Sequence, residues 1–217
     1  MPTKPTPPKL DVFADVSREC RALAAADPVL ANALKAIGEP VIRRRAGGFE
    51  GLFRIIVEQQ VSVPSAQAIW ARCLGAFEPI SADAAHAAGV EGLRALGLSR
   101  PKAKYVHSLA HAVRSDAICF DAISGLPDDE AADGLIALKG VGPWSAAIYL
   151  LFCEGRVDIW PTNDVALLAA YAGAAGLEQR PSMAELDAVS ERWRPHRGLA
   201  AHILWTYYAH MRGRAPI

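Results

Sequence analysis

Apolar positions recur at spacings of three and four along most of the chain, and this periodicity predicts helices nearly throughout. In Phe49-Glu-Gly-Leu-Phe-Arg-Ile-Ile-Val-Glu-Gln-Gln the stripe runs from Leu52 through Ile55 and Ile56 to Gln59. A second helix is expected from Ser65 to Leu74, begun after Pro64. A third covers Arg100 to Val113, with Pro101 in a first-turn position and Ser99 as a cap just ahead of it. Further short helices are expected over Asp128 to Leu138, Trp144 to Cys153, Val165 to Tyr171, Ser182 to Trp193 and Gly198 to Ala209. No segment alternates with the period of a strand. Connections are brief and marked by glycine or proline, as at Gly89, Gly97, Gly125-Leu-Pro and Gly173. The fold class is therefore all-α, with Leu52, Ile55, Leu109, Leu150, Leu167 and Leu204 expected in the cores.

Composition narrows the class without naming a function. The 217 residues, 52% hydrophobic and 21% charged, suit a soluble protein with a substantial core: one generous domain, or two small ones sharing a cleft. Met1-Pro-Thr-Lys-Pro-Thr-Pro-Pro lacks the apolar run of a signal peptide and is expected to be an extended tail over residues 1–10. No stretch approaches the roughly 18 apolar residues of a membrane span. An intracellular, cytoplasmic location with no membrane contact is expected. Cys20, Cys73, Cys119 and Cys153 lie far apart, as reduced, mostly buried thiols do. Formal net charge is zero, but charge is unevenly spread. Arg94, Arg100, Lys102, Lys104 and Arg114 form one basic block, and Arg192, Arg194, Arg197, Arg212 and Arg214 another. Asp121, Asp128, Asp129, Glu130 and Asp133 form an acidic one. Such segregation suits one positive face and one solvated negative edge. His107 and His111 are four apart on a helix, with no third ligand in sight to complete a metal site.

The sharpest local signal is Leu138-Lys-Gly-Val-Gly-Pro-Trp-Ser-Ala-Ala. An apolar helix ends, a short turn follows, and a second helix opens at Pro143. Gly140 and Gly142 permit positive φ and leave the backbone bare. Val141 between them can point inward as an anchor, and Pro143 suits a first helical turn. Backbone N–H groups facing outward at a helix N-terminus make an anion site. Further on, Asp158-Ile-Trp-Pro-Thr-Asn-Asp-Val-Ala-Leu-Leu places Asp164 at the entry to an apolar helix. There it can serve as an N-cap or as a reactive carboxylate, and the local pattern leaves both open.

Taken together, these segments resemble the helix-hairpin-helix (HhH-GPD) superfamily of DNA glycosylases. The L-x-G-V-G-x-x-[ST]-A pattern is similar to the hairpin whose amides grip a DNA phosphate without reading sequence. The likeness runs from about Phe49 to Tyr208. Phe49 to Val63, with its Glu-Gln-Gln-Val-Ser-Val, looks like the helix and loop that invade the duplex. The segments Leu96-Gly-Leu-Ser-Arg-Pro-Lys-Ala-Lys-Tyr-Val-His-Ser-Leu-Ala and Trp193-Arg-Pro-His-Arg-Gly-Leu-Ala-Ala-His-Ile-Leu-Trp resemble parts of the 3-methyladenine DNA glycosylase II branch. The resemblance implies two helical subdomains flanking a DNA-binding cleft within residues 11–217, in the compact form of the family. One subdomain would span about 52–165, and the chain's two ends would form the other. It also implies Asp164 as catalytic carboxylate, Asp158 lying too early, and phosphate contact at Gly140, Val141 and Gly142. Gln60 matches the wedge that fills the gap left by a flipped base. Backbone carbonyls of Ile136, Leu138 and Val141 would hold a structural Na⁺ or K⁺.

The branch follows from what stands beside the hairpin. Trp144 occupies the place where strand-cleaving members carry a Schiff-base lysine, and no cysteine follows Cys153 to form an iron–sulfur cluster. Trp144 and Trp205 match aromatic positions of the base pocket, where an indole face attracts a cationic alkylpurine by about 0.5–2 kcal/mol. Ile148 replaces one aromatic of that pocket. Tyr149 and Trp160 lie near the right segments without an assigned place. The implied function is monofunctional hydrolysis of 3-methyladenine and 7-methylguanine from double-stranded DNA in base excision repair. It would be carried out by a monomer that requires no cofactor. Two rivals stay open: a glycosylase of the same fold for deaminated or cyclic adducts, and a non-catalytic helix-hairpin-helix DNA-binding module.

Overall fold

The computed structural model describes residues 16–40 and 42–214; the tail expected over residues 1–10 lies outside them. The described residues are all-α and contain no β-strand. In chain order the helices are α1 (Val16–Ala26), α2 (Pro28–Ile37), α3 (Gly48–Glu58), α4 (Val63–Ala76), α5 (Ala82–Ala95), α6 (Arg100–Arg114), α7 (Phe120–Ser124), α8 (Asp128–Ile136), α9 (Pro143–Ile148), α10 (Val165–Ala174), α11 (Met183–Ser190) and α12 (Arg197–Met211). A π-helical turn, Tyr149–Glu154, continues α9, and a 3₁₀ turn, Glu191–Trp193, follows α11. The chain separates into two compact units. One is Arg45–Tyr149; the other joins the described residues before Arg45 to those from Leu150 onward.

The Arg45–Tyr149 unit is built around α3. Leu52, Phe53, Ile55, Ile56 and Val57 are all buried, so the apolar surface is broader than the stripe alone suggests. Phe53 meets Trp70 of α4 edge-on, ring centroids 5.5 Å apart, a geometry that adds about 0.5–1.5 kcal/mol to the burial. On α6, Ala103, Val106, Leu109 and Ala110 turn inward at helical spacing. Ser99 takes the N-cap position of α6 in extended backbone, but its side chain makes no capping hydrogen bond, contrary to the sequence expectation. Gly89 is a kink inside α5 at φ +63 rather than a connection. Tyr149 closes the unit: it is buried, its hydroxyl accepts from the Gly48 N–H at 2.8 Å, and its ring leans on Phe120.

The other unit packs α1, α2, α10 and α12 around Leu30, Leu167, Trp193, Leu199, Ile203 and Leu204. Val157 and Trp160 belong to this core, which is why residues just past the π turn join the chain ends. Asp27 caps α2 through Oδ1, which accepts from Val29 N, while Oδ2 accepts from Trp193 Nε1 at 2.8 Å. One buried carboxylate thus ties residues 166 positions apart. Gly198 opens α12 flush against the chain before it: its N–H donates to the Val157 carbonyl, and a Cβ there would crowd that oxygen and Leu151. The π turn replaces the regular helix expected to Cys153. It ends in a buried ion pair, Arg156 Nε donating to Glu154 at 2.8 Å. The six leucines and isoleucines expected in the cores are all buried. Truncating such a residue to alanine costs about 2–5 kcal/mol. No helix among the described residues is long and apolar enough to cross a membrane.

Candidate functional site

The hairpin between α8 and α9 is set by backbone needs. Gly140 sits at φ +87, and a Cβ there would overlap the Tyr105 ring on α6, so both conformation and space require glycine. Val141 is buried, and its N–H donates to the Leu138 carbonyl at 3.1 Å. That amide is engaged within the turn, so among the three residues assigned to phosphate contact the anion reading rests on Gly140 and Gly142. Gly142 is not in the left-handed region expected for it. It is extended, at φ −99, and is the N-cap of α9, where no side chain caps the helix. Open space surrounds its Cα. Trp144 lies in the first turn of α9, half-buried.

The end of α3 is tied to this hairpin. Gln59 Nε2 donates to the Gly140 carbonyl at 3.0 Å and to Ser145 Oγ at 2.8 Å. Lys102 Nζ donates to the carbonyls of Val57 and Gln59, and burial holds its ammonium below the usual lysine range. Gln60 follows, exposed and at φ +52, a strained conformation for a residue with a side chain. Beside it stand the exposed Val61 and Val63, with Ser62 capping α4. Sequence reading placed Gln59 in an apolar stripe and Lys102 in a basic block. The only sign of their role was a polar residue closing that stripe.

Asp164 is the N-cap of α10. Its Oδ1 accepts from Ala166 N at 2.8 Å and Leu167 N at 3.0 Å, and its Oδ2 accepts from Trp205 Nε1 at 3.3 Å. Asn163 reaches φ +61 just before it, a turn conformation that asparagine tolerates better than most residues. The carboxylate is nearly buried, and Val165 next to it is 68% exposed. Trp205 is half-buried, tilted on Phe152 and edge-on to His202. His202 is buried, its Nε2 has no hydrogen-bond partner, and desolvation lowers its pKa to about 4. Asp158 is fully engaged elsewhere, holding Arg194 at 2.7 Å and Arg197 at 3.0 Å. Trp160 is core, donating to Asp187 and packing on Trp193.

Several arginines of the two basic blocks are ion-paired within their own unit. Arg94 pairs with Glu91, Arg114 with Asp83, Arg192 with Asp27, and Arg194 and Arg197 share Asp158 and Glu191. The third histidine missing from sequence is His86 of α5, stacked on His107 with centroids 4.8 Å apart. Stacked rings do not converge their nitrogens on a point, and no group of histidine, cysteine or acidic residues among the described ones could hold a metal ion. Cys20, Cys73, Cys119 and Cys153 are free thiols; burial pushes Cys20 and Cys73 up to about 11.

Residues 53–195 match the HhH-GPD superfamily base excision DNA repair protein family. The chain is 28% identical over 162 residues to the alkylbase DNA glycosidase-like protein mag2 of Schizosaccharomyces pombe, covering 72% of this chain and 76% of that protein. It is 31% identical over 212 residues to the probable bifunctional transcriptional activator/DNA repair enzyme AlkA of Mycobacterium tuberculosis. That match covers 93% of this chain but spans only 41% of the relative. Among solved structures, the S. pombe 3-methyladenine DNA glycosylase Mag1 in complex with abasic DNA superposes with a TM-score of 0.80 at 25% identity, over 87% of this chain and 95% of that one. The chain belongs to the HhH-GPD superfamily of base excision DNA repair proteins.

Proposed function

We propose that this protein is a monofunctional DNA glycosylase that hydrolyses the N-glycosidic bond of alkylated purines, such as 3-methyladenine and 7-methylguanine, in double-stranded DNA. The observation that carries the reading is the Asp164 carboxylate, oriented by two backbone amides and an indole N–H at the head of α10. The names of the relatives, a 3-methyladenine DNA glycosylase among them, support it. Gly140 and Gly142 offer backbone N–H groups to a phosphate, and Gln60 occupies the space of the extruded nucleotide. Extrusion costs a few kcal/mol, less at a damaged pair. Trp144 and Trp205 each offer an indole face to a cationic base. As the C1′–N bond breaks, its electron pair leaves on the base and cancels the base's positive charge. The Asp164 charge stabilises the oxocarbenium-like sugar; water then adds to C1′ and passes its proton to the Asp164 carboxylate, which returns it to solvent. An alkylated purine leaves as a neutral base and so needs little acid assistance.

Trp144, rather than lysine, beside the hairpin supports hydrolysis without strand cleavage. The carbonyls of Ile136, Leu138 and Val141 would supply neutral oxygens, the donor chemistry that suits Na⁺ or K⁺, and the Leu138 oxygen, which accepts one N–H in the turn, keeps a second lone pair. The cation would brace the turn there; the chemistry needs no cofactor. The protein would act as a monomer on DNA. The test is release of free base from methylated duplex by the wild type and by Asp164→Asn. Release by the wild type alone, with DNA binding kept in the variant, is the expected result. Binding by both without release favours the binding-module reading, and release from deaminated or cyclic adducts alone moves the substrate class.

A further inference from the structure

We infer that Gln59, Lys102 and Ser145 form a positioning clamp that fixes the duplex-invading loop Gln60–Ser62 against the phosphate-gripping hairpin. The inference rests on the reading of that loop and hairpin as DNA contacts. Gln59 is the last residue before the loop, and its amide bridges two points of the hairpin: the Gly140 carbonyl at 3.0 Å and Ser145 Oγ at 2.8 Å. Gly140 is the residue whose conformation defines the turn, and Ser145 is buried in α9. From the other side, the Lys102 ammonium sits on the Val57 and Gln59 carbonyls, the negative end of α3. Backbone and side chain of Gln59 are thereby both fixed. Gln60 then leaves at φ +52, held in a strained turn by the residue before it.

The consequence is mechanical. A phosphate held at Gly140 and Gly142 sets the register of the backbone, and the clamp sets where the loop enters relative to that phosphate. Without it the loop can still fold and the hairpin can still bind, but entry is no longer aligned. A misplacement of about 1 Å costs on the order of 100-fold in steps that depend on alignment. Gln59, Lys102 and Ser145 are therefore positioning residues, not residues that touch the reacting atoms.

The test uses Gln59→Leu and Lys102→Met, which keep side-chain bulk but remove the donors, with Lys102→Arg as the conservative control. Affinity is measured for an undamaged duplex and for one with an abasic site, and 2-aminopurine opposite that site reports loop entry. The expected result is a loss of preference for the abasic duplex by about tenfold or more in the first two variants, a diminished 2-aminopurine signal, and little change on undamaged DNA. Lys102→Arg should recover most of both. Preference kept in Gln59→Leu and Lys102→Met overturns the inference, as does an equal loss on both duplexes with a matching fall in melting temperature, which marks plain destabilisation. A wild type with no abasic preference overturns it too. Base release is not read in this assay. A wild type that discriminates abasic DNA but frees no base from methylated duplex would sink the glycosylase reading and leave the clamp standing.

Discussion

The N-termini of α9 and α10 are both reached through tight turns, yet they are closed by opposite means. Gly142 caps α9 with backbone alone and leaves open space at its Cα. Asp164 fills the head of α10 with its own carboxylate, both oxygens hydrogen-bonded. A bare helix N-terminus invites an external anion, because unsatisfied N–H groups and the helix dipole point the same way. A helix N-terminus that already holds an anion presents negative charge instead, which suits a cationic transition state. The same local element is therefore suited to phosphate in one unit and, under the proposed function, to positive charge in the other. The choice lies in one residue: glycine or aspartate.

The largest expected effect breaks the second half of that comparison. Asp164→Asn keeps an N-cap of equal preference but removes the charge, so base release should fall by about 100- to 1,000-fold while melting temperature barely moves. Equal losses of both would make Asp164 a cap and nothing more. Next comes acid sensitivity beside Trp205. His202 is held neutral with a pKa near 4, against an ordinary value of 6.5. Between these values the unfolded chain binds the extra proton, so stability contributed above pH 6.5 is lost as pH falls toward 4. The slope approaches about 1.4 kcal/mol per pH unit. His202→Leu should flatten that slope in chemical denaturation across the window; an unchanged slope refutes the assignment.

The hairpin gives the next two. Gly140→Ala meets both positive φ and the Tyr105 ring, and should destabilise by about 1–3 kcal/mol in a thermal melt. Gly142→Ala meets neither. It should lower stability by only about 0.5–1 kcal/mol, the N-cap preference of glycine over alanine, yet weaken duplex binding by about tenfold, because the methyl stands where a phosphate would approach the backbone. If both variants unfold alike, the contrast between a turn glycine and a contact glycine is lost. The smallest effect sharpens the aspartate side. Trp205→Phe keeps an aromatic face and loses one N–H bond to Asp164, a contribution of about 1 kcal/mol. Turnover should fall only a few-fold, and a collapse to the level of Asp164→Asn would mean that the indole does more than orient.

Much of this was legible along the chain. Periodicity found most helices, because a helix that must bury one face shows it at spacings of three and four. It missed α1, α2, α5 and α7. The five residues of α7 are too few to show a period, and Gly89 reads as a break where the chain only kinks; α1 and α2 carry as clear an apolar face as α6, so their pattern was there to be read. Proline and glycine marked the hairpin, because Gly140 has no substitute at its φ and contact. The choice of Asp164 over Asp158 came from resemblance. The fold supplies a physical reason for setting Asp158 aside, since two arginines from the start of α12 and its approach occupy it.

What the sequence determined by itself was the set of local solutions: which segments coil, where they stop, and which turns need glycine or a capping carboxylate. These depend on neighbours within a few residues. The tertiary structure alone decided the partners. It turned Lys102 from a surface charge into a cap on α3, gave Arg114, Arg192, Arg194 and Arg197 acids distant in sequence, and added His86 to a histidine pair. It also hung the exit of α3 on the hairpin through Gln59. Hydrogen bonds and ion pairs are satisfied by whatever folding brings within about 3 Å. A periodic pattern records which face is buried, but not which polar atom waits on the other side.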